Sequence, residues 1–207
     1  MRVFLLPAIL LFVGCTATKL TSSWTADNAG NRDYQKIMVV SILQREDTSL
    51  SKKMERHLAG DLKAAGYNAV GYREVFSEGE LKGMRYDSIR RKLSEKGIDG
   101  VVTISLMTKE KEAVYVRERG NADPGSLPLG GFWQSPTLVR QERGKTGYYL
   151  TSTSYFWQSQ FYDVATVDLL YASQSKAFEV LSTDDLAHRY GKMIVKDMEK
   201  NYVLSMK

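Results

Sequence analysis

The chain of 207 residues contains one cysteine, two histidines and four prolines. A single thiol excludes any internal disulfide, and with only two histidines beside it the chain is poor in ligands for a zinc centre. No apolar stretch reaches the roughly 20 residues that a helix needs to cross a bilayer. Long runs of one charge are missing too: 29 basic residues stand against 24 acidic ones, a formal charge of +5, and their mixing makes no case for a nucleic-acid partner. Gly-x-Ser-x-Gly, the phosphate-binding loop and Gly-x-Gly-x-x-Gly do not occur. The hydroxyls of Thr151, Ser152, Thr153 and Ser154 have no partner base, and Asp184 with Asp185 reads as a helix cap rather than a carboxylate pair. The chain therefore reads as non-enzymatic, with no cofactor and no metal. Composition does supply 43% hydrophobic and 26% charged residues, enough for one ordinary globular core.

The one cysteine is informative by its place. Met1-Arg2 precedes an apolar run from Val3 to Val13, broken only by Pro7, and Gly14-Cys15 follows, so residues 1–14 read as a signal peptide. Phe12-Val13-Gly14-Cys15 resembles the lipobox of bacterial lipoproteins, with Phe12 where those proteins usually carry leucine. That resemblance implies thioether diacylation of Cys15, cleavage before it and acylation of the new amino terminus. Several acyl chains hold a protein on a membrane firmly where one would be marginal. Thr16, standing where an aspartate would retain such a protein on the inner membrane, implies by the same resemblance the outer membrane; a periplasm-facing pose is the expectation, and residue 16 does not fix the face. Residues 15–23 are then expected to form a tether, and Trp24 to plug its end into the core of a domain over 24–207.

Periodicity organises that domain. Lys36 to Leu43 is a continuous apolar run with the pattern of a strand covered on both faces, expected to be the first, central strand. Leu50, Met54, Leu58, Leu62 and Ala65 recur at helical spacing opposite Lys52, Lys53, Glu55, Arg56 and Lys63, with Gly66 as a stop. Tyr67 to Val75 reads as a second strand, Tyr86, Ile89 and Leu93 as a second helix ending at Gly97, and Gly100 to Leu106 as a third strand. Ala113 to Val116 looks like a short strand. Tyr149 to Tyr162 and Val167 to Val180 form a long antiparallel hairpin rich in aromatic and β-branched residues, joined through Asp163 to Thr166. A last helix opens at Asp184 and Asp185 and carries Leu186, Tyr190, Met193, Ile194, Met198 and Tyr202 on one face. The expected fold is α/β (α+β mixed): a single domain with a mixed sheet, two crossover helices, a C-terminal helix and a long aromatic hairpin.

Between the halves, the stretch 117–147 has no periodicity and holds Pro124, Pro128 and Pro136 among several glycines, yet also Leu127, Leu129, Phe132 and Trp133. Tyr148, Tyr149, Tyr155, Phe156, Trp157, Phe161 and Tyr162 follow within a few residues. Phe132, Trp133, Tyr148, Tyr149, Tyr155 and Trp157 are accordingly the candidate binding residues, since Tyr and Trp give contact area at low entropy cost. The competing reading makes the aromatic strand a sheet face covered by helices. His57 and His188 read as boundary residues. Arg90, Arg91, Lys92, Lys96, Lys109, Lys111, Arg117 and Arg119 alternate with glutamates and read as a mixed solvated surface rather than an anionic-lipid or polysaccharide site.

With the lipobox, Trp24, the Lys36 to Leu43 strand, Lys63-Ala64-Ala65-Gly66-Tyr67, Gly97-Ile98-Asp99-Gly100-Val101-Val102 and Tyr162-Asp163-Val164-Ala165-Thr166, the chain resembles a group of bacterial lipoproteins. Their folded part is similar to the amino-terminal domain of the Tol-system protein TolB. Relatives usually place glycine after the threonine of the last motif, where this chain has Val167. The resemblance implies an envelope location and an interaction role, and brings no catalytic residues. Two functions follow as expectations: a non-enzymatic, membrane-anchored adaptor that binds an envelope protein or glycan, or a lipid or small-molecule carrier with the loop as a lid over an aromatic pocket.

Overall fold

The apolar run at Ile37–Ile42 is buried on both faces over its first three residues, and the reason is visible in its neighbours. Ile37 and Val39 face a core built with Met54, Leu58 and Leu62, while Met38 between them joins Phe76, Leu93 and Ile98 on the opposite side. The computed structural model describes residues 18–43, 47–117, 147–178 and 182–204. Its strands are β1 (Thr18–Thr25), β2 (Ile37–Ile42), β3 (Ala69–Gly71), β4 (Gly100–Arg117), β5 (Gly147–Asp163) and β6 (Leu169–Phe178). The helices are α1 (Thr48–Ala64), α2 (Tyr72–Val75), α3 (Tyr86–Glu95) and α4 (Thr183–Lys200). The strands form one mixed sheet in the order β1-β6-β5-β4-β2-β3, parallel at β2–β3 and β2–β4 and antiparallel elsewhere.

Because β3 and β4 flank β2 on opposite sides, right-handed crossovers put α1 and α3 on opposite faces. α4 joins α1 on its face, held by three tyrosines. Tyr171 donates to Asp197 at 2.7 Å, Tyr67 to Glu199 at 3.2 Å, and the Tyr190 and Ser159 hydroxyls meet at 2.5 Å. Beyond the reach of α2 and α3, no helix among the described residues lies over the other face of β5, β6 and β1, and β6 alternates accordingly: Tyr171, Ser173, Ser175 and Ala177 are buried while Gln174 is exposed.

Several expectations change. β2 is not central; β4 and β5 are, because the long antiparallel pairing adds β6 and β1 on the far side. Gly100 to Leu106 and the short strand at Ala113 to Val116 belong to one strand, β4, interrupted by a bulge between Leu106 and Thr108. Tyr67 to Val75 is not one strand: only Ala69–Gly71 pairs with β2, and the chain then turns into α2, where Glu55 holds the Arg73 backbone N–H at 2.8 Å and its guanidinium at 2.6 Å. Glu55, expected on the charged face of α1, is buried by this contact. Residues 18–23 of the expected tether lie in β1, whose Thr- and Ser-rich sequence suits a strand completing the edge of β6. Trp24 plugs nothing: it sits beside Ala172 on the uncovered face and is 53% exposed. Tyr202 lies past the end of α4, largely exposed, and Val203 and Leu204 enter the core instead.

Two of the motifs behind the resemblance, Gly97 to Val102 and Tyr162 to Thr166, have structural roles. Gly97, at φ 70°, ends α3 with its N–H bonded to Ser94 O and that of Ile98 to Leu93 O. Asp99 accepts from the N–H groups of Gln35 and Lys36 at 2.8 and 3.0 Å, aligning β2 with β4. Gly100 lies against the edge-to-face pair Tyr34–Phe161, and a Cβ there would stand 2.8 Å from the Phe161 ring. In the second motif, Val167 occupies the left-handed region at φ 70°, its N–H bonded to Asp163 O. A β-branched residue is strained there by about 1–2 kcal/mol. Val167→Gly is expected to raise unfolding free energy by about 1 kcal/mol, the unfolded-state entropy of glycine taking back part of the relief. A denaturant midpoint equal to or below that of the parent would show that the turn carries no such strain.

Candidate functional site

At the end of the sheet where β2 and β4 begin, the β5–β6 turn and the segment before β2 enclose a polar cleft of about 190 Å³. Asn28, Arg32, Tyr34, Asp163, Thr166, Asp168 and Leu170 line it. Asp163 is its fixed point. Its Oδ1 accepts from the Ala165 and Thr166 N–H groups at 2.8 and 2.9 Å, and its Oδ2 pairs with the Arg32 guanidinium and accepts from the Tyr34 hydroxyl at 3.3 Å. Burial alone would raise this carboxyl; the two N–H donors and Arg32 outweigh it and hold the group below the usual carboxylate range. Burial and the same carboxylate push the Tyr34 phenol up, so it stays protonated and donates. The Oδ1 of Asp163 orders the turn and its Oδ2 ties that turn to Arg32 and Tyr34 before β2, so both oxygens are engaged in structural contacts.

The predicted aromatic residues do not form one surface. Trp157 is fully buried on the helix-covered face, tilted against Tyr190 at 5.7 Å and stacked on Tyr155 at 6.2 Å, so as a candidate ligand contact it is corrected to a core residue. Phe161 is likewise buried. Tyr155 is half-buried, with the Lys109 ammonium 5.3 Å from its ring centre. Tyr148 and Tyr149 take register positions opposite Val116 and Tyr115. Phe132 and Trp133 lie outside the described residues, as does Cys15.

Sequence reading missed the opposite row of β5. Phe156, Gln158 and Gln160 pair with Lys176, Gln174 and Ala172 of β6 and with Thr108, Ser105 and Thr103 of β4, on the face that no helix covers. Trp24 extends the row across β1. The result is a sheet surface of amides and hydroxyls with aromatic groups at its margins, suited to hydrogen bonding and stacking rather than to bond cleavage. The i, i+2 spacing of Phe156, Gln158 and Gln160 was the available signal.

The remaining titratable groups are packed into helix contacts. His57 and His188 meet edge to face at 5.8 Å between α1 and α4, His57 lying 3.5 Å from Asp184 and His188 3.8 Å from Asp61, whose carboxyl is raised by burial. They are boundary residues, as expected. Among the described residues no three His, Cys, Asp or Glu side chains are placed to hold a metal ion, and no helix is long and apolar enough to cross a membrane.

Comparison with solved structures comes at low identity. The chain is similar to the PelC dodecamer from Paraburkholderia phytofirmans, with 9% identity over 92% of this chain and 98% of that one and a TM-score of 0.48. It is similar also to lipoprotein GNA1162 from Neisseria meningitidis, with 15% identity over 80% of this chain and 98% of that one and a TM-score of 0.44. A minor lipoprotein from Acinetobacter baumannii matches at 12% identity over 79% of this chain and 94% of that one, with a TM-score of 0.27. No protein-family model matches the chain, and no curated protein matches it. None of the three structures is a TolB domain; that likeness rests on the sequence motifs alone.

Proposed function

We propose that the protein is an envelope lipoprotein, anchored in the outer membrane through Cys15 and facing the periplasm, whose domain binds another envelope component without chemical turnover. The face of β5, β6 and β1 over which no helix lies among the described residues is the observation that carries the binding role: Trp24, half exposed, stands across Ala172 from Gln160, and Gln174 with Gln158 forms the neighbouring row. Ordinary outward-facing strands carry charges; this row is mostly neutral, with Lys19 and Lys176 at one end. A protein edge or a glycan, both rich in hydrogen-bonding groups, fits such a surface. The carrier alternative has less support: Trp157 is enclosed by the core, and the cleft at the β5–β6 turn is lined mostly by polar groups.

Metabolic labelling with an alkyne fatty acid is expected to tag the wild type and not Cys15→Ala. Photo-crosslinking side chains placed singly at Trp24, Gln158, Phe132 and Trp133 in the native host are expected to capture one recurrent envelope component, with Lys96 as the control position. Capture from Lys96 alone, or fatty-acid incorporation independent of Cys15, would overturn the proposal.

A further inference from the structure

The cleft at the β5–β6 turn has no part in the proposed sheet-face contact, yet it is built before any ligand arrives. On one wall, the Asp163 carboxylate accepts from the Ala165 and Thr166 N–H groups, its carbonyl accepts from Val167 N–H at 2.9 Å, and its own N–H donates to Asp168 O at 3.1 Å. These bonds fix Thr166 and Asp168 in place, with Val167 between them held in the left-handed region. On the other wall, Ala26 N–H is bonded to Leu170 O at 3.0 Å and Ala29 is buried, so the backbone of Asn28 between them is pinned as well. The fold has already ordered both walls, which lowers the cost of binding.

The groups left over determine what fits. The Asn28 amide and the Asp168 carboxylate have no partner among the described residues. The Thr166 hydroxyl accepts from Asp168 N–H at 3.4 Å and keeps its own proton to donate. Arg32 commits Nη1 to Asp163, leaving further N–H groups on a side chain 46% exposed. Tyr34 and Leu170, both buried, complete the lining with apolar surface.

Charge narrows the choice. In the lining one guanidinium stands against the carboxylates of Asp163 and Asp168, so an anion would meet more repulsion than attraction. A cation gains little, because both Asp163 oxygens are engaged and Arg32 shares the wall. Around the opening, Lys36, Arg90 and Lys96 are mixed with Asp27, Asp33 and Asp99, and no field of one sign is set up. The volume of about 190 Å³ has room for about six waters, which suits one sugar ring. Vicinal hydroxyls match a rim of mixed donors and acceptors, and can replace the hydrogen bonds of the waters they displace, while the C–H surface of the ring meets Tyr34 and Leu170.

We infer that this cleft is a binding site for a neutral sugar, hydrogen-bonded to Asn28, Arg32, Thr166 and Asp168. With both oxygens of Asp163 engaged, no second free carboxylate faces the ring, so the sugar is bound and not cleaved. The site is separate from the sheet face and does not depend on it.

The full chain, purified with the acyl groups it carries in a detergent without sugar headgroups, would be titrated with glucose, galactose, mannose and N-acetylglucosamine while the backbone amide signals of Thr166 and Asp168 are followed by NMR. At least one of these sugars is expected to shift both signals saturably, and glucuronate to bind at least about tenfold more weakly than the best of them. Asp168→Ala should weaken binding about tenfold and Asn28→Ala about threefold, the scale of a hydrogen bond to a charged and to a neutral group. Both residues are exposed, so the unfolding midpoint should hold. No saturable shift with any of the neutral sugars, equal or tighter binding of glucuronate, or affinity indifferent to both substitutions overturns the inference. A trisaccharide of the bound sugar that competes as well as the monosaccharide would identify the end of a glycan, and one that fails to compete a free sugar. Sugar binding that persists while crosslinkers at Trp24 and Gln158 capture nothing would sink the sheet-face proposal and leave the cleft standing; capture without sugar binding would do the reverse.

Discussion

Asp163→Ala is expected to lower the unfolding free energy by about 3 kcal/mol, measured by denaturant titration. The carboxylate is 3% exposed, and its removal strands the Ala165 and Thr166 N–H groups and the Tyr34 hydroxyl, each a donor costly to leave unmet. The fourth partner matters less. Arg32 keeps 46% of its side-chain surface in water and can be re-solvated, so Arg32→Ala should cost under about 1 kcal/mol. If Arg32→Ala proves as damaging as Asp163→Ala, the carboxylate supports the ion pair rather than the turn, and its assignment as the organiser of the β5–β6 turn is wrong.

The same residue sets the acid limb of stability. Because the folded carboxyl is held below its ordinary value of 3.8, its contribution is complete above that value and is lost as pH falls through the lower folded one. Glu55 acts oppositely. Burial raises it above 4.5, against the pull of Arg73, so the folded chain takes up that proton before the unfolded chain does and stability rises as pH falls through the raised value. The wild type should therefore gain slightly on acidification from neutrality and then lose stability as Asp163 protonates. Asp163→Asn, less stable overall, should keep the gain and show a shallower loss toward about pH 3.

Trp157→Ala should cost about 3–5 kcal/mol, the range for emptying a large aromatic site in a core. The indole is fully buried between β5 and α4, and its loss leaves Tyr190 and Tyr155 facing a cavity that the sheet backbone cannot close. Trp157→Phe separates structure from recognition. Among the described residues the indole N–H has no hydrogen-bond partner, so phenylalanine removes an unmet donor along with some apolar volume, and the two changes should nearly cancel to within about 1 kcal/mol. Fluorescence-monitored unfolding would read the stability, and crosslinking yield from Trp24 or Gln158 the recognition. A Phe variant that folds with parental stability but loses capture would return Trp157 to the binding site.

The helices α1, α3 and α4 were legible in the sequence because their apolar stripes recur at helical spacing, and α1 and α3 also stop at Gly66 and Gly97. So was the β5–β6 hairpin, through its density of aromatic and β-branched residues and the Asp163 to Thr166 turn. The parallel pairing of β2 with its crossover partners followed from alternation of strand and helix. Side-chain destinations in the aromatic hairpin were not legible, because successive residues of a strand look alike in composition while pointing to opposite faces: Trp157 went into the core and Phe156 to the uncovered side. Nor could Glu55 announce its burial, since only the approach of Arg73 from the turn after β3 makes that position tolerable for a carboxylate.

The sequence by itself determined the class of the fold and the presence of α1, α3, α4 and the β5–β6 hairpin, since these depend on local periodicity, and it supplies the expectation of an anchor at Cys15. Only the tertiary structure decided that residues 18–25 form an edge strand instead of a tether, and that Trp24 and the row of Phe156, Gln158 and Gln160 share one face of the sheet. Strand pairing is a contact between segments far apart in the chain; its register is set by the hydrogen-bond ladder and by which face is buried, neither of which any single segment encodes alone.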